Sequence, residues 1–237
     1  MISAQPKVSF QKLTSESAEQ AVSLYFAPIH QLFDGLALMT KEPFVIKRAL
    51  DIVISMCLLL VLFPPLLIIA LLIKLDSPGP VFYISHRIGK NGRVFPCYKF
   101  RTMVVNADEL THTLASLNER DGILFKITKY PRATRIGRIL RKFSLDELPQ
   151  LFNVLDGDMS LVGPRPLLVP EYRVFNGDEL IKRLRVRPGM ASLWGTRESE
   201  LTSAEWVRLD DEYVDRWSLL LDAKILARTL SAVLRRA

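Results

Sequence analysis

Cysteine is scarce. Cys57 and Cys97 are the only two among 237 residues, and neither has an evident partner. That excludes a disulfide framework and fits a reduced, cytosol-facing protein. The first forty residues lack a basic start followed by an apolar stretch, so no secretory signal is read there. No internal repeat or low-complexity tract occurs. Aromatic rings are missing from the cationic run Arg132, Arg135, Arg138, Arg141, Lys142. A single-strand nucleic-acid binder interleaves rings with its cations, so no nucleic-acid partner is expected. Charge itself is absent from Ile52 to Ile73.

What is present suits one domain with a proper core plus an appendage. Half the chain is apolar while 24% is charged, and mean hydropathy is +0.17. One very apolar segment attached to an ordinary polar domain produces that mixture. A net charge of +7 points to anionic partners: nucleic acid, anionic lipid or a phosphorylated substrate.

Along the chain, residues 1–45 form an N-terminal extension with an amphipathic helix from Ser17 to about Gly35 that either covers the core or lies on lipid. Residues 46–75 carry Lys47 and Arg48, expected as membrane anchors, and then the apolar run. As a continuous helix that run measures roughly 33 Å, enough to span a bilayer. Pro64 and Pro65 near its centre remove two backbone donors, and basic residues flank both ends. A helix that breaks there and returns to the same leaflet accommodates both features; a simple span remains open. Asp51 is placed to pair with Lys47 or Arg48.

Residues 76–237 read as a catalytic domain with interfacial amphipathic helices. Val81–Ile84 and Val94–Tyr98 flank Gly89-Lys90-Asn91-Gly92 as a β-hairpin. Its cations, Lys99 and Arg101 among them, are a solvated surface, a seat for headgroups, or a seat for a substrate diphosphate. A helix is expected from Asn106 to about Glu119, then Lys126 and a cationic helix face bearing Arg138 and Arg141. The C-terminal helix from about Leu221 to Arg235 suits either a membrane surface or packing on the domain. Trp194, Trp206 and Trp217 mark an interfacial belt or the core.

Ser144-Leu145-Asp146-Glu147-Leu148-Pro149-Gln150 places two adjacent carboxylates where a helix begins. Ser144 and Glu147 have capping-box spacing, a structural reason for the acids. Chemistry is the other reason. A helix N-terminus and nearby arginines would keep a carboxylate ionised, able to attack phosphorus or ligate Mg²⁺. Gly163-Pro164-Arg165-Pro166 is a rigid loop aiming Arg165, whose planar fork suits a phosphate.

Taken in order, several motifs resemble the bacterial sugar transferases, the monotopic polyprenyl-phosphate phosphoglycosyl transferases. They are Lys47-Arg48…Asp51, the proline-bearing helix, Asp76-Ser77-Pro78-Gly79-Pro80, Tyr98-Lys99-Phe100-Arg101-Thr102-Met103, the stretch from Ser144 to Leu151, Gly157 to Pro166, and Arg187-Pro188-Gly189. The resemblance implies an α/β, mostly helical, membrane-associated domain with a small β-hairpin or sheet and a proline-broken re-entrant membrane helix. It implies transfer of a sugar-1-phosphate from a UDP-sugar to polyprenyl (undecaprenyl) phosphate, with release of UMP, on the cytoplasmic face of a bacterial inner membrane. Asp146 would be the nucleophile forming a covalent phosphosugar intermediate, and Glu147 the second carboxylate, associated with Mg²⁺ and flanked by Asp146. Arg165 would bind phosphate, with Arg138, Arg141, Lys99, Arg101 and Lys126 as further cations facing substrate or anionic lipid. A homo-oligomer stays open, as does a non-enzymatic scaffold for polysaccharide assembly. The chain departs from the family pattern at Phe63-Pro64-Pro65, at Tyr130 and at Ala191-Ser192-Leu193-Trp194-Gly195.

Overall fold

The computed structural model describes residues 42–105, 107, 132–172, 180–195 and 201–235, all within the unit Thr40–Ala237. The expected N-terminal helix, the helix after Asn106 and Lys126 lie outside the described residues, Ala107 apart.

Helix α1, Glu42–Asp76, carries Pro64 and Pro65 inside it. The helix runs through both prolines, so the expected break is not shown. Proline holds φ near the helical value, so the pair removes the donors that would reach the carbonyls of Leu60 and Val61 without forcing the chain out of helix. One stripe of α1 faces the domain, from Arg48 and Asp51 through Ser55, Leu59, Leu62 and Leu66 to Ile69, Ile73 and Asp76. The remaining faces are apolar and exposed, Leu60, Val61, Phe63, Leu67 and Leu75 among them. The segment Val45–Asp76 is long and apolar enough to cross a membrane, and its most apolar window is only 17% buried. A core helix of a soluble protein would be mostly covered.

Both ends of α1 are fastened to the domain. Near the start, Lys47 Nζ meets Asp222 Oδ2 at 2.5 Å. Arg48 donates to the carbonyls of Val154 and Leu155 at 2.5 and 2.9 Å. The expected headgroup anchors thus act as clamps between helix and domain. Asp51 accepts from Leu161 N at 3.1 Å, and its charge favours the Arg48 cation. At the other end, Ile69 and Ile73 pack with Phe100 and Leu140, and Asp76 Oδ2 accepts from Ile136 N at 3.0 Å.

Strands β1, Phe82–Ile88, and β2, Val94–Phe100, form the expected hairpin. Asn91 and Gly92 take positive φ at its tip, which the tight turn requires. Helix α2, Arg135–Lys142, is capped by Thr134, whose hydroxyl accepts from Gly137 N. Next come α3, Gln150–Asp156, β3, Ser160–Val162, β4, Leu167–Leu168, and α4, Val169–Tyr172. Strand β5, Gly189–Ala191, precedes α5, Ser203–Asp215, and α6, Leu219–Leu234. The first sheet runs β2-β1-β4, antiparallel, and the second pairs β3 with β5 in parallel.

The core gathers Phe95, Cys97, Leu151, Val154, Met159, Val162, Tyr213 and Ile225, with Leu59 of α1 packed against it. Asp222 ties three elements together: it takes Lys47, Tyr213 Oη at 2.8 Å and Trp217 Nε1 at 3.2 Å. Helix α6 packs through Asp222 and Ile225, while Leu220, Leu230 and Leu234 stay exposed. Trp194 and Trp206 are buried, their rings 5.6 Å apart, and belong to the core rather than to a belt.

Candidate active site

Leu145–Glu147 is a single 3₁₀ turn ahead of α3, not the first turn of that helix. Ser144 sits at φ 56°, ψ 22°, in the left-handed region, and makes no side-chain cap. The expected capping box does not form, because a cap residue needs extended backbone. A non-glycine residue at positive φ is strained, and here the strain lies two residues before Asp146.

Freed from capping, Glu147 Oε1 accepts from Lys99 Nζ at 2.6 Å. Lys99 comes from β2, paired in register with Tyr83. Burial pushes the Glu147 carboxyl up, but Lys99, by charge and hydrogen bond, with Arg165 and Arg87 beyond it, brings it below the usual glutamate value. Asp146 goes the other way. Burial raises its carboxyl to about 6, Glu147 adds to the rise, and Lys99 and Arg141 oppose it. The expectation that a helix terminus and arginines dominate is corrected, because the helix starts after Asp146 and burial outweighs the cations. Both acids are mainly ionised at neutral pH, but Glu147 is tied to Lys99 while Asp146 is the more basic, hence the better nucleophile.

The loop bearing Arg165 is strapped from four sides. Gly163 N donates to Ala191 O at 3.0 Å, and Gly189 N donates to Pro164 O at 2.8 Å. Arg87 Nη1 donates to Pro166 O at 2.8 Å, and Arg183 Nη2 donates to Arg165 O. Gly163 and Gly189 approach so closely that a Cβ on either would strike the other's backbone. Arg183 is held in turn by Asp210 at 3.0 Å, their side chains 3% and 1% exposed. Trp194 Nε1 donates to Asp210 Oδ1 at 2.8 Å.

Asp146, Glu147, Lys99, Arg165 and Arg141 are thus brought into one electrostatic neighbourhood. Arg101 is not. All five of its donors go to Pro80 O, Ser77 Oγ, Pro78 O, Ile73 O and Ser77 O, closing the end of α1. No donor remains for a phosphate. Arg138 is exposed on α2 and acts on Asp76. The sequence places Arg87 only among the hairpin's cations, and it gives Arg183 and Asp210 no role. Arg87 carried a signal: it shares the buried face of β1 with Ser85, where a lone cation is unusual. Arg183 and Asp210 carried none.

No cluster of three or more metal-ligating side chains occurs among the described residues. Two adjacent carboxylates, one raised by the other, do suit a Mg²⁺ ion, which takes one or two protein oxygens and completes its shell from phosphate and water.

Residues 42–236 match the family described as bacterial sugar transferase. The chain belongs to this family. It is 41% identical over 199 residues to undecaprenyl-phosphate galactose phosphotransferase of Salmonella typhimurium, covering 81% of this chain and 41% of that one. Undecaprenyl-phosphate glucose phosphotransferase of Komagataeibacter xylinus is 43% identical over 196 residues, covering 78% and 35%. Exopolysaccharide production protein ExoY of Sinorhizobium fredii is 40% identical over 192 residues, covering 79% and 84%. The chain therefore spans less than half the length of the two phosphotransferases. Within the family, the motif residues acquire positions: the acid pair faces Lys99, and the Arg165 loop lies against β5.

Proposed function

We propose that this bacterial sugar transferase moves a sugar-1-phosphate from a UDP-sugar to polyprenyl phosphate and releases UMP. The split dyad carries the reading: Asp146 is a basic, partly buried carboxylate, and its neighbour Glu147 is locked to Lys99. An Asp146 oxygen attacks the sugar-bearing phosphorus, and the bond from that phosphorus to the bridging oxygen breaks with UMP as leaving group. A phosphate oxygen of the polyprenyl acceptor then attacks the same phosphorus and returns the electron pair to Asp146. Arg165 holds phosphate oxygens with its planar fork. Glu147, with Asp146, would hold Mg²⁺, which supplies neutralisation of charge developing on the diphosphate.

The reading extends to the membrane. A helix crossing the bilayer separates its ends by about 30 Å of hydrocarbon, yet here both ends of α1 bond to one polar domain. That supports a re-entrant α1, bent at Pro64 and Pro65, with the domain on the cytoplasmic face of the inner membrane. The two phosphotransferase relatives name different hexoses, so the donor is sought with a panel.

The test is to incubate the protein with Mg²⁺ and each labelled UDP-sugar without acceptor lipid, then to examine peptides by mass spectrometry. A phosphosugar on the Asp146 peptide, absent in Asp146→Asn, is expected. A protein that turns over once polyprenyl phosphate is added, while that peptide stays unmodified without it, rules out the covalent route. One that turns over no donor is a scaffold.

A further inference from the structure

Away from the dyad, a shallow cleft opens where α1 meets the hairpin tip. Arg48, Lys90 and Arg187 wall it, together with Asp51 and Tyr213. Lys47 also lines it, but its charge is answered by Asp222.

The other three cations are only partly answered, Arg48 by the charge of Asp51. Arg187 acts repulsively on both Arg48 and Lys90. Lys90 has no carboxylate or hydrogen-bond acceptor for its ammonium among the described residues, and burial and Arg187 both push its pKa down. Asp51 is the one acid in the wall, and it is buried and engaged by Leu161 N. Asp158 faces Arg187 from outside the wall. Two of the three cations have a structural duty: Arg48 bonds the last carbonyls of α3, and Arg187 Nε donates to Gly157 O at 2.7 Å. Lys90 has none. Lys90 is exposed and solvated, but a lysine beside two guanidinium groups gains further from an anion that enters the space they share.

Position narrows the anion. Arg48 lies four residues before the apolar run begins at Ile52, so the cleft opens where α1 enters lipid. Headgroup phosphates lie at that level. We propose that Lys90, Arg187 and Arg48 form a binding site for a phosphate group presented at the membrane surface, separate from the Asp146 centre. Two sources share that chemistry: the headgroup of an anionic lipid and the terminal phosphate of a polyprenyl lipid. The site rests on α1 entering the membrane and not on the covalent reaction.

The experiment uses the full chain carrying Asp146→Asn, so that failure of the catalytic reading leaves it intact. Protein in phosphatidylcholine nanodiscs is acylated with an amine reagent, and Lys90 modification is compared with that of Lys142 on α2. Three additions are tested: inorganic phosphate, phosphatidylglycerol in the disc, and polyprenyl phosphate in the disc. Protection of Lys90 by about fivefold, the scale of one cation at an anionic surface, is expected with at least one of the two lipids. Protection by phosphatidylglycerol assigns an anionic-lipid dock, and by polyprenyl phosphate alone a staging seat that the acceptor leaves for Asp146; protection by inorganic phosphate alone overturns the proposal, because no membrane-borne group is then needed. Lys90 changing no more than Lys142 with all three overturns the proposal. Independently, Lys90→Ala is expected to leave Asp146 modification by the soluble donor unchanged while weakening retention on the protecting lipid.

Discussion

Arg183 and Asp210 form an ion pair at 3.0 Å inside the protein, and the same guanidinium donates to the carbonyl of Arg165. The contact runs from α5 through a buried arginine to the backbone of the proposed phosphate loop. Burial alone would penalise both charges, so the pair persists through mutual attraction, the Trp194 hydrogen bond and the Trp206 ring 5.0 Å from the guanidinium.

Removing the acid leaves the arginine buried without its counter-charge. Asp210→Ala is expected to destabilise the fold by about 3–5 kcal/mol, seen as a lowered denaturant midpoint. Among molecules still folded, KM for the UDP-sugar should rise more than kcat falls, because Arg165 loses its support rather than its charge.

The dyad predicts a pH profile. Modification of Asp146 by donor alone should rise with pH, with a midpoint near 6, and level off above it. Lys99 opposes the rise in the Asp146 carboxyl, so Lys99→Met should move the midpoint to higher pH. A profile flat between pH 5 and 8 would remove Asp146 from the role of ionisable nucleophile.

The same shift bears on stability. A carboxyl raised on folding favours its protonated form in the folded state; its contribution is full below the ordinary aspartate value and is lost as pH rises through about 6. Asp146→Asn should therefore raise Tm at pH 7.5 more than at pH 4.

Gly189 packs on the backbone of Gly163 with no room for a Cβ. Gly189→Ala is expected to push β3 from β5 at a cost of roughly 1–3 kcal/mol. Amide exchange at Gly163 and Gly189 should accelerate, and Asp146 modification should slow.

Topology is checked with introduced cysteines in a Cys57→Ser background, in which the remaining Cys97 is buried. Val45 and Leu75 are both exposed near opposite ends of α1. A re-entrant helix makes Val45→Cys and Leu75→Cys react with an impermeant maleimide from the same membrane face. Reaction from opposite faces would require a spanning helix and a rearranged domain.

What local pattern could reveal, it did. The uncharged run, the hairpin with its Gly89–Gly92 turn and the order of the motifs depend on neighbours in sequence, and they are where the spacing put them. The capping-box reading of Ser144 failed because a left-handed backbone at one residue is invisible to spacing. In the sequence Pro64 and Pro65 point to a break, and α1 stays helical through both.

By itself the sequence determined which residues could do phosphate chemistry: an acid pair, a rigid arginine loop and a surplus of cations beside an apolar segment. Tertiary structure alone decided how those cations were divided. Arg101 and Arg48 went to carbonyls 21–28 and 106–107 positions away, Lys99 to Glu147 48 positions away, and Lys90 to an open cleft. The reason is physical: a guanidinium or ammonium bonds whatever oxygen folding brings within about 3 Å, and burial, itself a product of distant contacts, set the ionisation of Asp146.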